Sequence, residues 1–248
     1  MHIRVVVPVL YAEELEGKAR EEYTKAARAD TELSFVSISN GTQTIESQFD
    51  MALAQPETIR AIVEAESGGI DACIVACFGD PGAAGAKEMV SIPVVGEGEA
   101  ALHFAHLLGY SYTIITVEET SIPLMKNMAR HCGLSERLAS VRAVPFGVMD
   151  FSLACVDDVV RQSLAAVRDD GADVIVMGCT GTGVNMAALV ESRLEKELGL
   201  RVPVVDPVKA AISLAQGLVS TGLTHSKKAY PTPVSRRPEY QYQISPVS

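Results

Sequence analysis

Residues 69–79 read Gly69-Ile70-Asp71-Ala72-Cys73-Ile74-Val75-Ala76-Cys77-Phe78-Gly79, and residues 171–181 read Gly171-Ala172-Asp173-Val174-Ile175-Val176-Met177-Gly178-Cys179-Thr180-Gly181. Gly69, Asp71, Cys77 and Gly79 align with Gly171, Asp173, Cys179 and Gly181 without a gap. Each copy is a turn, an apolar strand, a cysteine and a glycine. Downstream, Ile92-Pro93-Val94-Val95 is echoed by Val202-Pro203-Val204-Val205, and the opening strand of the chain is echoed by Tyr112 to Val117. The sequence therefore reads as two similar α/β lobes, residues 1–108 and 109–223, with a strand or helix free to cross between them. An irregular tail over residues 224–248, rich in proline, follows.

Working outward, further β-branched runs lie at Ile3 to Val9, Leu33 to Ile38, Pro93 to Val95, Val141 to Val144 and Pro203 to Val205. Between them, Ala12 to Ala29, Glu57 to Glu66 and Asp157 to Arg168 carry apolar residues at helical spacing. Pro56 suits the first residue of a helix. Valine and isoleucine runs without polar alternation predict strands covered on both faces, hence mainly parallel sheets flanked by helices.

The chain has 248 residues and a formal net charge of −10. An acidic balance argues against nucleic acid, which needs a clustered basic surface. No apolar run is long enough to cross a membrane, and no basic-then-apolar leader opens the sequence. Five cysteines, an odd and scattered number, read as reduced thiols, so a cytoplasmic protein is expected.

Ligands of open parallel sheets bind beyond the carboxyl ends of strands, where both Cys77 and Cys179 fall. The turn N–H groups and helix N-terminus that follow each cysteine carry partial positive charge, so a lowered thiol pKa is expected. One such cysteine could be a nucleophile, a base or a small buried filler. Two at matched places suggest an acid/base pair facing across a cleft. One thiolate would remove a proton from a carbon beside a carbonyl, and the opposite thiol would return one to the other face. The N–H groups of the turns would hold the enolate oxygen. Cys73, Cys132 and Cys155 read as structural, and Asp71 and Asp173 as strand-entry turn residues. His103 and His106 lie three apart on a helix without ligands to complete a metal site. Gly181-Thr182-Gly183 is too short for a nucleotide loop.

At these residues the chain resembles the aspartate/glutamate/hydantoin racemase superfamily, and within it the hydantoin and allantoin racemase branch. The motif Ala76-Cys77-Phe78-Gly79-Asp80-Pro81-Gly82 carries the resemblance, with Pro93-Val94-Val95-Gly96-Glu97-Gly98-Glu99-Ala100-Ala101 after it. Thr44-Ile45-Glu46, Phe49-Asp50, Gly178-Cys179-Thr180-Gly181 and the tail's Thr224-His225-Ser226-Lys227 also resemble that branch. The resemblance implies a homo-oligomeric racemase of a 5-substituted hydantoin or related ureide such as allantoin. It implies Cys77 and Cys179 as catalytic groups, a small-molecule carbonyl substrate, and neither cofactor nor metal. By position, Phe78, Gly79, Thr180 and Gly181 would line the site, with Thr44, Thr116, Val9 and Tyr11 beside them. Phe78 would either close the pocket by apolar contact or pack on the helix.

Two departures bear on the substrate. Val7-Pro8-Val9-Leu10-Tyr11 stands where the branch usually has an Asn-Pro-Asn-Thr-like segment, replacing amide donors by an apolar lip with one phenol. Thr180 looks like the amino-acid racemases, whereas Phe78 stands where those usually have asparagine, which disfavours a free amino acid. Other superfamily reactions, such as maleate isomerase-like or arylmalonate decarboxylase-like chemistry, and a non-catalytic two-lobed binding protein are the alternatives. The presence of both cysteines argues against the single-thiol decarboxylase.

Overall fold

A computed structural model describes residues 1–150, 152–180 and 185–233, apart from the side chains of residues 14 and 15. The first lobe's strands are β1 (His2–Leu10), β2 (Glu32–Ile38), β3 (Ala72–Val75) and β4 (Val94–Gly96), and the second's are β5 (Tyr112–Val117), β6 (Leu138–Val144), β7 (Val174–Met177) and β8 (Val204–Val205). They form two parallel sheets of order β2-β1-β3-β4 and β6-β5-β7-β8. The two orders are the same when the second is renumbered from its own first strand.

The repeat is visible in the strand-entry hydrogen bonds. Asp71 Oδ2 accepts from the His2 N–H at 2.6 Å, and Asp173 Oδ2 accepts from the Tyr110 and Ser111 N–H groups at 2.9 Å each. Each aspartate thus ties the start of its lobe's third strand to the start of its first. Pro93 and Pro203 fall just outside their strands, yet their carbonyls accept from the Cys73 and Ile175 N–H groups at 2.9 Å.

The helices are α1 (Glu13–Ala26), α2 (Gln48–Ser67), α3 (Ala83–Met89), α4 (Glu97–Leu108), α5 (Ile122–His131), α6 (Val156–Asp169), α7 (Met186–Leu198) and α8 (Pro207–Thr221). Strand alternation sorts the side chains between cores. Ile3, Val5 and Val7 of β1 and Tyr112 and Ile114 of β5 enter one core common to both sheets. Val6 joins a second core under α2 and α3, and Ile115 and Val117 join a third under α6 and α7. The common core holds because helices cross over. α4 packs on β7 and β8 of the second sheet, α8 packs on α1, β3 and β4 of the first, and the two helices touch. Ala100, Ala101 and Ala105 on α4 and Ala210, Ala211 and Ala215 on α8 are almost wholly buried, the small side chains that permit close approach.

One helix begins earlier than expected. α2 starts eight residues before Pro56 and runs through it. Ser47 caps it by accepting from the Asp50 N–H at 3.2 Å, and the Asp50 carboxylate accepts in return from the Ser47 hydroxyl at 2.7 Å. That reciprocal cap, with Met51 and Ala54 buried in the first turns, outweighs the one backbone hydrogen bond that proline removes. The described part of the tail is strapped to the first lobe. His225 Nε2 accepts from the Val94 N–H at 2.8 Å, and Lys227 Nζ donates to the carbonyls of Lys87, Glu88 and Val90. Tyr230 lies edge-on to His225, while Tyr240 and Tyr242 fall outside the described residues.

Candidate active site

The carboxyl ends of β1, β3, β5 and β7 converge on a cleft of about 740 Å³, counted to its open mouth. Cys77 and Cys179 both line it, from equivalent turns after β3 and β7. Phe78, Gly79, Thr180, Thr44, Thr116 and Val9 line it as well. Tyr11 does not: its side chain is 67% exposed, and β1 ends at Leu10, so the alternation that carries Val7 and Val9 inward stops one residue short. Gly181 lies outside the described residues. Phe78 borders the cleft and is 2% exposed in the common core.

The rest of the lining is largely apolar, with Val7, Ile45, Val117, Leu124, Met125 and Val148 around the hydroxyl of Ser121 and the amide of Gln43. Among the described lining residues none is Asp, Glu, Lys, Arg or His. Val7 and Val117 lie on β1 and β5 and Ile45 in the familial Thr44-Ile45-Glu46 stretch, whereas Gln43, Ser121, Leu124, Met125 and Val148 follow β2, β5 and β6 in segments where sequence reading found no motif.

The Cys77 turn is tightly built. The Asp80 N–H donates to the Cys77 carbonyl at 2.9 Å, and Asp80 itself sits at φ +51°. Its carboxylate accepts from the Gly98 and Glu99 N–H groups, at 2.9 and 2.7 Å, and so caps α4 from another segment of chain. That approach explains the neighbouring glycines. A Cβ on Gly96 would lie 2.1 Å from Asp80 Cγ, and one on Gly98 would lie 2.0 Å from the Phe78 carbonyl oxygen. The Cys-Phe-Gly-Asp and Gly-Glu-Gly-Glu motifs are therefore two halves of one packing arrangement.

Glu97, between those glycines, is wholly buried. Tyr23 Oη donates to its Oε1 at 2.5 Å, and Thr180 Oγ1 donates to its Oε2. Burial raises the Glu97 carboxyl to about 8, against the lowering effect of the hydrogen bonds from Thr180 and Tyr23. Burial likewise raises Asp80 to about 8, opposed by its two backbone donors. Sequence reading placed Glu97 inside the familial motif without a role. A charged residue held between two glycines where a buried strand meets a helix was the available signal.

The thiols correct an expectation. A lowered pKa was anticipated from the turn N–H groups, but burial pushes Cys77 well above the ordinary thiol range. The hydrogen bond from the Gly79 N–H opposes that rise, and the charges of Glu97, Asp80 and Cys179 add to it. Cys179 is pushed up to about 12, first by burial and then by the charges of Glu97, Glu22 and Glu46. Its Sγ donates to the Thr180 carbonyl at 3.2 Å. Local turn dipoles thus lose to removal from water.

Cys73, Cys132 and Cys155 stand apart from the cleft lining, Cys73 and Cys155 in the two outer cores. His103 Nδ1 bonds the Glu99 carbonyl oxygen at 2.7 Å within α4. Among the described residues no cluster of three His, Cys, Asp or Glu could hold a metal ion, and no helix is long and apolar enough to cross a membrane.

Comparison with known proteins gives a family-model match, Asp/Glu/Hydantoin racemase, over residues 13–215. A hydantoin racemase of Pseudomonas sp. (strain NS671) is 36% identical over 212 residues, covering 84% of this chain and 82% of the relative. The crystal structure of an allantoin racemase from Pseudomonas fluorescens superposes with a TM-score of 0.84 at 33% identity, covering 96% of this chain and 99% of that one. An allantoin racemase from Klebsiella pneumoniae gives 0.85 at 29% identity, with 98% of each chain covered.

Proposed function

The chain belongs to the Asp/Glu/hydantoin racemase family, and from that premise we propose that this racemase inverts C5 of hydantoins bearing an apolar substituent, using Cys77 and Cys179 as its acid/base pair. The observation that carries the reading is that both cysteines, on equivalent turns of the two lobes, line one cleft. The thiolate of one takes the C5 proton, and the electron pair of that C–H bond moves to the adjacent carbonyl as an enolate. The second thiol then gives its proton to the opposite face and is left as thiolate. Enolate charge falls near the backbone N–H groups of the two turns and the hydroxyls of Thr116, Thr44 and Ser121, donors fixed in place before reaction. The mechanism needs one proton shared by two sulfurs, and like-charge repulsion favours that state, because a second thiolate beside the first is costly.

The lining narrows the substrate. An α-ammonium and α-carboxylate would meet no charged partner among the described lining residues, a heavy desolvation cost for a free amino acid. A neutral ring with an alkyl or aryl substituent suits Val7, Val9, Ile45, Leu124, Met125 and Val148 better than a ureido group does.

Enantiopure 5-isopropylhydantoin, 5-benzylhydantoin, allantoin and amino acids, followed by polarimetry and NMR in deuterium oxide, test both parts. The expected result is loss of optical rotation with deuterium entering C5, and kcat/KM higher for the two apolar hydantoins than for allantoin. Binding without deuterium exchange would make the protein a capture module, and faster turnover of allantoin would refute the substrate assignment.

A further inference from the structure

We propose that Glu97 is a positioning residue for the reaction, anchoring the Cys179 turn through Thr180 and holding a buried carboxyl where it bears on both sulfurs. The inference rests on the reading of Cys77 and Cys179 as the reacting pair. Its ground is geometric. A wholly buried carboxyl at the first residue of α4 is bonded on one oxygen by Tyr23 of α1 and on the other by Thr180 of the second lobe. Thr180 follows Cys179 directly and its carbonyl accepts from the Cys179 sulfur. A movement at Glu97 therefore reaches that thiol in two short steps. Gly96 and Gly98 give the Asp80 carboxylate and the Phe78 carbonyl the room to pack against this turn, which fixes where Glu97 can lie.

Stability alone gives little reason for a carboxyl there. A packed apolar side chain would escape the cost of burying a titratable group. The repeat does not supply one by symmetry either, since the matching position at the start of α8 is Pro207. Glu97 also sits among other ionisable groups. Glu22 and Tyr23 face it from α1 and Asp80 from the Cys77 turn. Lys18, Glu22 and Glu46 act on Cys179, and Asp206 at the start of α8 acts on Tyr23. The charge of Glu97 opposes ionisation of both thiols.

The test combines Glu97→Gln, which keeps the shape and removes the charge, with the pair Thr180→Val and Thr180→Ser. The substrate-free readout is alkylation of Cys77 and Cys179 by iodoacetamide across pH, resolved by peptide mass spectrometry. In Glu97→Gln the alkylation midpoints of both thiols move to lower pH, and kcat falls by about 10- to 100-fold while KM stays within about threefold, as for a misplaced reacting group. Thr180→Val loses kcat by about tenfold or more, and Thr180→Ser, which keeps the hydroxyl, restores it. Alkylation midpoints in Glu97→Gln that coincide with those of the unaltered protein would overturn the proposal, as would equal kcat for the two Thr180 variants. Should Glu97→Gln not fold, the Thr180 pair decides alone. Absence of turnover on every hydantoin would instead refute the reaction, leaving the alkylation result to speak for Glu97.

Discussion

The Cys77 and Cys179 turns occupy the same place in duplicated sheets but are fastened differently. The first is held by its own lobe, through Asp80 capping α4 and two glycines that admit the contact. The second is tied beneath the cleft lining by Thr180 to buried Glu97 of the other lobe, while α8 is capped by its own Asp206, which accepts from the Val208 and Lys209 N–H groups at 3.0 and 3.3 Å. Duplication reproduces the backbone and the strand-entry aspartates. It does not reproduce the carboxyls: Asp80 and Glu97 both stand in the first lobe, and the charges of both act on Cys77, whereas of the two only Glu97 acts on Cys179 among the causes that raise it. The pair is thus symmetric in position and asymmetric in charge, which suits a reaction that is the same in both directions yet begins from either face.

The largest expected effect breaks the pair itself. Cys77→Ser and Cys179→Ser each lower racemisation by about 10²- to 10⁴-fold, the range for loss of a general acid or base. If the sulfurs address opposite faces, as the proposed mechanism requires, each variant should still exchange deuterium into one enantiomer without inverting it, and the two variants should choose opposite enantiomers. NMR on enantiopure hydantoin in deuterium oxide reads this directly. If both variants exchange the same enantiomer, the opposed-face arrangement is wrong. With both thiols raised by burial, Cys179 to about 12, thiolate forms only as pH climbs, so kcat/KM should still be rising from pH 7 to 9. A flat profile over that interval would mean that a thiolate already exists in the free enzyme.

Much of this was legible from the residues. All eight strands lie where Val/Ile runs and the repeated turn–strand–cysteine pattern put them, since buried parallel strands demand continuous apolar runs. The meeting of Cys77 and Cys179 followed from the same repeat. What escaped was non-local. Glu97 stood in the familial motif without a role, and only the packing of the second lobe onto α4 turns it into a buried bridge. The thiol pKa values were misjudged for a related reason, because turn N–H groups show in sequence and burial does not. The start of α2 was lost to Pro56, a strong local signal overruled by the Ser47–Asp50 cap.

A middle-sized effect compares glycines on the two crossing helices. Gly98→Ala in α4 would drive a Cβ to 2.0 Å from the Phe78 carbonyl oxygen. The backbone must shift, at a cost of about 1–3 kcal/mol or more, and the Cys77 turn moves with it. Gly217→Ala in α8 meets nothing within 4 Å and should stabilise by about 0.4–1 kcal/mol through a less flexible unfolded chain. Urea denaturation of the two variants separates them by sign. Destabilisation by both would show α8 to be as tightly constrained as α4.

The smallest effect concerns the charge asymmetry and requires its sign to be followed through. Asp80 and Glu97 have folded-state values near 8, far above those of carboxyls in an unfolded chain. Between these limits the folded protein binds more protons than the unfolded chain does, so stability falls as pH rises. The stabilisation is fully present below about pH 4 and is lost as pH climbs through about 8. Over pH 5 to 9, then, these two groups should pull the melting temperature down, each kcal/mol appearing as about 2–4 °C for a chain of this size. Glu97→Gln cannot ionise and should flatten the decline, leaving the part due to Asp80. Substitution of Asp206, the cap of the second lobe, should lower the melting temperature by loss of a cap worth about 0.5–2 kcal/mol while leaving the slope contributed by Asp80 and Glu97 in place. If calorimetry instead gives Glu97→Gln the same slope as the unaltered protein, ionisation of the first lobe's buried carboxyl is not what distinguishes the two halves, and the difference between the turns is one of packing alone.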